Sequence, residues 1–138
     1  MNLTRRDTLA LGLGAVALTI LPYRANAAVD DVIAEFTGGA ATDAGGLTLN
    51  TPEIAENGNT VPVDVDAPGA VSILLLAAGN PTPGVATVNF GPLAGNQNAS
   101  TRIRLAGTQD VVAVAKFADG SFARAQNTVK VTIGGCGG

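Results

Sequence analysis

Two stretches near the carboxyl end decide the fold: residues 111–117, Val-Val-Ala-Val-Ala-Lys-Phe, and residues 128–133, Thr-Val-Lys-Val-Thr-Ile. The first is a strongly apolar, almost uncharged run, which predicts a strand. Asp119-Gly120 then predicts a hairpin turn into a further strand over residues 121–126. In the last strand Val129, Val131 and Ile133 alternate with Lys130 and Thr132, as in a half-buried strand.

The rest of the chain repeats this pattern of short strands and turn residues. Alternation predicts strands at residues 60–65, where Asp64 and Asp66 face solvent, and at residues 101–105; apolar runs predict strands at residues 72–78 and 86–90. Asn57-Gly58 and Gly91-Pro92 are among the turn signals between them. Six or seven short strands in one domain predict an all-β fold, an immunoglobulin-like antiparallel β-sandwich.

A short helix is expected to precede the sandwich. Residues 29–36 fit a helix with Asp30 and Asp31 in its first turn and Gly38-Gly39 after its end, so these two carboxylates indicate a helix start rather than a catalytic pair. Residues 38–46 are rich in glycine and alanine. They are the best candidate for a mobile connection between helix and sandwich.

The amino-terminal segment has the pattern of an export signal. Arg5 and Arg6 precede an uncharged apolar run over residues 8–21, and Ala25-Asn26-Ala27 forms a small-x-small cleavage motif. The paired arginines are typical of the twin-arginine pathway, which exports folded proteins to the periplasm. The apolar run is short for a membrane span, so we expect no permanent anchor. We therefore expect residues 1–27 to be a cleaved signal peptide, residues 28–133 the domain, and residues 134–138 a carboxyl-terminal arm.

Composition excludes several classes of function. The chain has no histidine, no tryptophan and one cysteine, which rules out a Ser-His-Asp triad, a Cys-His pair and an internal disulfide, and no metal site is expected. Its net charge of −3 comes with no basic stripe, so nucleic acid is not an expected partner. About 110 residues remain after cleavage, enough for one domain with a modest core.

The one cysteine is the residue best able to carry chemistry. Cys136 lies between Gly134-Gly135 and Gly137-Gly138, and four glycines around one thiol predict a thin, mobile arm that presents the thiol to other molecules. Five extended residues reach about 17 Å, enough to enter a partner's active site. The terminal carboxylate is close and Lys130 is six residues away, so we expect activation of the thiol to come from a partner.

An exported β-domain with a helical start near Phe36 and the ending Gly-Gly-Cys-Gly-Gly resembles the SoxY family, the sulfur carrier subunits of bacterial thiosulfate oxidation. The resemblance covers the whole chain and implies a carrier that is not itself an enzyme and has no cofactor. It implies that sulfur intermediates, a thiosulfonate and a persulfide, are attached to Cys136. It further implies a stable complex with SoxZ and transient docking to the SoxAX cytochrome, the SoxB hydrolase and the SoxCD sulfur dehydrogenase.

One other class of function stays open. An unpaired cysteine in an exported protein often forms an intermolecular disulfide. The alternative is therefore an exported β-sandwich that acts as an interaction module, with Cys136 joining it covalently to another chain. Such a module would bind its partner by strand-edge pairing or by an apolar face, so it would keep its function without residues 134–138, whereas a carrier would lose it.

Overall fold

The computed structural model describes residues 25–133, and this part of the chain folds as one helix and eight strands. In chain order they are α1 (Ala25–Thr37), β1 (Thr48–Asn50), β2 (Ile54–Ala55), β3 (Val61–Asp66), β4 (Ala70–Ala77), β5 (Gly84–Asn89), β6 (Asn98–Ile103), β7 (Gln109–Phe117) and β8 (Phe122–Val131). Within these residues no helix is long and apolar enough to cross a membrane.

The strands form two sheets that pack face to face. One sheet has the order β1-β3-β6 and the other β2-β8-β7-β4-β5. All pairs are antiparallel except β2 with β8, which run parallel over two residue pairs. The predicted immunoglobulin-like sandwich is confirmed, with this one parallel pairing as an addition to it.

Alternation along β3 shows how the core between the sheets is built. Val61, Val63 and Val65 are buried while Asp64 and Asp66 are exposed, as predicted. The facing sheet contributes Ile73 and Leu75 of β4 together with alternate residues of β7. Ile73 and Leu75 are both fully buried.

Unlike β3, the strands β4 and β7 are continuous apolar runs, because α1 covers the face of their sheet that points away from the core between the sheets. Ile33 of α1 packs with Leu74, Leu76, Val112 and Val114 in a second cluster on that face. Where α1 ends, the rings of Phe36 and Phe122 meet edge to face with centroids 6.1 Å apart. The two central strands are thus buried on both sides, and each reads as an unbroken apolar segment.

Three sequence-based expectations were wrong in detail. The helix begins at Ala25, four residues earlier than predicted, and β8 is one strand rather than two separated near Asn127. The connection over residues 38–46 is anchored to the sheet: the Asp43 N–H donates to Phe122 O over 2.9 Å, and the Arg124 N–H donates to Asp43 O over 2.8 Å. These two hydrogen bonds hold the connection against β8, so it is not a mobile linker.

Candidate functional site

The structure describes the strand that leads to Cys136 but not the arm itself. Cys136 and the four glycines Gly134, Gly135, Gly137 and Gly138 lie outside the described residues, as do Arg5 and Arg6 of the signal. Of the cleavage motif, Ala25 is the first helical residue and Ala27 is exposed on the first turn of α1. The part of the site that the structure describes is the root of the arm, residues 130–133 at the end of β8.

The last described residues are held on one side by the segment around β2. The Lys130 N–H donates to Glu53 O over 2.9 Å, and the Thr132 N–H donates to Ala55 O over 3.0 Å. The Gly58 N–H then donates to Ile133 O over 2.9 Å. Backbone hydrogen bonds thus continue past the end of β8 and fix the chain up to Ile133.

A side chain holds the same root from the other direction. The Thr108 hydroxyl accepts from the Val131 N–H over 3.0 Å, and it also lies 3.5 Å from Val131 O, to which it donates. The Thr132 hydroxyl donates to Glu56 O over 3.3 Å. Each of these contacts joins residues far apart in sequence, so the root is a product of the folded sandwich.

The loops around the root are locked together by two amide side chains. Gln109 accepts from the Gly79 N–H over 2.8 Å and donates to Asn80 Oδ1 over 2.9 Å and to Gly107 O over 3.0 Å. Asn80 in turn donates to Arg104 O over 2.8 Å and accepts from the Ala106 N–H over 2.9 Å. The 78–83 and 104–108 loops therefore form one rigid surface at the end of the sandwich where β8 stops.

The charges near the root are sparse and mixed. Lys130 is exposed and pairs in register with Ile54, and the neighbouring segment carries Glu53 and Glu56, both exposed. Two large apolar side chains are exposed here as well, Ile54 at 57% and Ile133 at 68%. Among residues 25–133 no group of three or more metal-binding side chains is arranged to hold a metal ion.

The acidic pairs have the positions that the sequence predicted for them. Asp30 and Asp31 lie exposed on α1, and Asp64 and Asp66 lie exposed on one face of β3. Asp30 lines a small pocket with Ala78 and Asp110, close to the end of the sandwich at which β8 stops. The sequence did not indicate that Thr108, Gln109 and Asn80 lie around the root. The only signal available was that they follow turn glycines.

The root limits how far the thiol can travel. Because Ile133 is fixed by the Gly58 N–H, only Gly134 and Gly135 lie between the last anchored residue and Cys136, which is three Cα-to-Cα steps away. Three extended residues span at most about 11 Å, compared with the roughly 17 Å expected for the five-residue arm as a whole.

Comparison with known proteins agrees with this architecture. The family model of the sulfur oxidation protein SoxY matches residues 33–136, a span that ends on Cys136. The structure of the sulfur carrier protein SoxY from Chlorobium limicola f thiosulfatophilum is similar with a TM-score of 0.69 and 34% sequence identity, covering 78% of this chain and 94% of that one. No curated protein matches the chain in sequence.

More distant structures share the fold alone. A superoxide reductase (neelaredoxin) from Ignicoccus hospitalis superposes with a TM-score of 0.55 at 17% identity, covering 63% of this chain and 80% of that chain. A putative superoxide reductase from Thermotoga maritima gives 0.52 at 13% identity, covering 70% and 89%. The family model matches most of the chain, and the Chlorobium protein adds more than 30% identity over nearly its full length. The chain belongs to the SoxY family of sulfur oxidation proteins.

Proposed function

We propose that this chain is a periplasmic sulfur carrier of thiosulfate oxidation that holds its cargo covalently on Cys136. The observation that carries the proposal is that the family match extends to residue 136, which is the only cysteine of the chain. The Chlorobium relative, which is named as a sulfur carrier protein, supports the same role. The carrier catalyses no step, and partner enzymes act on the sulfur that it presents.

The chemistry follows from the properties of a thiol. A thiolate that is oxidatively joined to thiosulfate forms a disulfide-like S–S bond and gives up two electrons, for which the SoxAX cytochrome is the proposed acceptor. Hydrolysis by SoxB consumes water, releases sulfate and leaves a persulfide on Cys136. SoxCD then accepts six electrons from the outer sulfur while water supplies its oxygens, which gives an S-sulfonate, and a second hydrolysis breaks the S–S bond and releases that sulfur as sulfate. The cysteine returns to its starting state, so one carrier serves many cycles.

The fixed root and the glycines have complementary roles in this proposal. The hydrogen bonds through Ile133 O and Thr108 hold the base of the arm in one place, so each enzyme meets it in the same position. Gly134 and Gly135 carry no side chains, so a channel too narrow for larger residues could admit this segment. SoxZ is the proposed stable partner, and the twin-arginine signal with Arg5 and Arg6 is the proposed route to the periplasm.

The test is the intact mass of the protein isolated from the periplasm of cells grown on thiosulfate, measured before and after reduction. We expect reductant-sensitive sulfur adducts that fragmentation places on Cys136. Cys136→Ser is the matched control, since serine keeps the size of the side chain but forms no such adduct, and its mass should not change on reduction. A free thiol or a plain disulfide dimer in every sample would reject the carrier role and favour the interaction module.

A further inference from the structure

The turn beside the root of the arm contains the one Asn-Gly step of the chain, Asn57-Gly58. The side-chain carbonyl carbon of an asparagine can be attacked by the backbone nitrogen of the residue that follows it. Glycine in the second position makes this attack easiest, because it has no Cβ to crowd the five-membered ring that forms. Asn57 is exposed, whereas Gly58 is buried. The fold therefore covers the nucleophile of a reactive pair and leaves its target open.

The reaction of this pair needs only water. The Gly58 nitrogen loses its proton and forms a bond to Asn57 Cγ, and the side-chain nitrogen of Asn57 leaves with that proton as ammonia. Water then opens the ring at one of its two carbonyl carbons. Breaking the bond from the nitrogen to Cγ gives aspartate. Breaking the bond to the main-chain carbonyl gives isoaspartate, in which the main chain runs through Cβ and Cγ and is one carbon longer.

The backbone of Gly58 is held by hydrogen bonds on both sides. Its N–H donates to Ile133 O over 2.9 Å, and its carbonyl oxygen accepts from the Leu105 N–H over 2.8 Å. Leu105 is fully buried. An amide nitrogen whose proton is held by a carbonyl oxygen and shielded from hydroxide is a poor nucleophile. The hydrogen bond that fixes Ile133 therefore also protects Asn57.

The turn holds Asn57 itself as well. Asn57 Oδ1 accepts from the Asn59 N–H over 3.0 Å, and the Thr60 N–H donates to Asn57 O over 3.4 Å. The first bond is the local side-chain-to-backbone contact typical of asparagine in turns. Both bonds restrict the rotations that bring Cγ onto the Gly58 nitrogen.

We propose that Asn57 is a site of spontaneous isoaspartate formation and that the root of the arm controls its rate. The reaction proceeds from a local opening in which Ile133 has left the Gly58 N–H, so its rate follows the population of that open state. Ile133 lies beyond the end of β8 and is 68% exposed. Openings at such positions have the lowest free energies in a folded domain.

Isoaspartate makes this opening permanent. The extra main-chain carbon shifts the Gly58 peptide groups, so Ile133 and Leu105 cannot both keep their hydrogen bonds to it. Aspartate at the same position has no such effect, because its main chain is unchanged and its carboxylate can still accept from the Asn59 N–H.

The open root lengthens the reach of the thiol. Without the bond to Ile133, the last anchored residue is Thr132, whose N–H donates to Ala55 O. Cys136 is four Cα-to-Cα steps from Thr132, so its reach rises from about 11 Å to about 14 Å. The inference does not depend on what Cys136 carries.

The first experiment incubates the full chain at mildly alkaline pH, folded and in concentrated urea, and locates isoaspartate at residue 57 by fragmentation mass spectrometry. We expect formation at least about tenfold slower in the folded chain, with hydrogen exchange of the Gly58 amide slowed to the same degree. Thr132→Val removes the hydroxyl bond to Glu56 O and should speed both processes about threefold. Thr87→Val, on an exposed position of β5, is the matched control and should change neither.

Three results would overturn the proposal: no product at residue 57 even in urea, equal rates in the folded and unfolded chains, or a formation rate that departs from Gly58 exchange among the variants. The second experiment isolates the isoaspartyl chains and measures exchange of their Gly58 amide. Protection should be lost there and kept in Asn57→Asp, which adds the charge without the extra carbon. Protection kept in the isoaspartyl chains would show that the modification does not open the root.

Discussion

Replacing Gln109 by methionine tests whether its amide group locks the loops at the end of the sandwich. Gln109 is only 8% exposed and makes three hydrogen bonds, to Gly79, Asn80 and Gly107. Methionine has a similar length and fills the same space but makes none of these bonds. At about 1 kcal/mol of net stability for each bond, the free energy of unfolding should fall by about 3 kcal/mol.

The assay is urea unfolding at neutral pH, with the midpoint and slope compared between variants. The matched control is Gln126→Met, because Gln126 is exposed and its bonds to Asp110 and Arg124 are open to water. We expect the control to lose less than about 1 kcal/mol. Equal losses at the two positions would refute the reasoning, since they would show that the buried network adds nothing beyond an exposed one.

Two further predictions concern the hairpin and the arm. Hydrogen bonds from the Ser121 hydroxyl and then from the Ser121 N–H lower the pKa of Asp119 below its usual 3.8. The stability that this carboxylate contributes should be complete above pH 3.8 and should be lost as the pH falls through the lowered pKa. The difference in unfolding free energy between wild type and Asp119→Ala should therefore become smaller in acid. A difference that stays constant down to about pH 2 would contradict this. Deleting Gly134 shortens the reach from Ile133 by about 3.5 Å. Turnover with partner enzymes should then fall while alkylation of Cys136 by a small reagent is unchanged, and equal turnover would show that reach is not limiting.

The sequence predicted those parts of the fold in which buried and exposed side chains follow a regular pattern along the chain. Val61, Val63 and Val65 alternate because one face of β3 meets the core. The apolar runs of β4 and β7 are equally clear because a helix and a sheet enclose them. In both cases the pattern is local, and a single sequence is sufficient to read it.

The parts that were missed depend on pairing with distant segments. β1 and β2 have three and two residues, too short to show a period, and β2 exists only because Ile54 and Ala55 pair with Lys130 and Val131. Asn127 lies between the two strands predicted over residues 121–126 and 128–133. Its side chain donates to Leu49 O over 2.8 Å, which keeps β8 continuous.

The candidate site also has one part that could be predicted from the sequence, the arm, and one part that could not, the root. The thiol and its glycines could be read directly as an unusual local composition, and they remain a prediction because they lie outside the described residues. The root could not be predicted, since Thr132 meets Glu56 and Val131 meets Thr108 only after the sheets have formed. Nothing in the short segments around these residues marks them as neighbours.

The position of β8 also determines how the domain responds to force. β8 lies between β7 and β2 rather than at the edge of its sheet, and the chain leaves it along the strand axis. The hydrogen bonds of the β7–β8 ladder are perpendicular to that axis, so a pull on the carboxyl end loads them in shear, all together, instead of opening them one after another. An enzyme that withdraws while still gripping the end of the chain would therefore strain a mechanically resistant part of the sandwich.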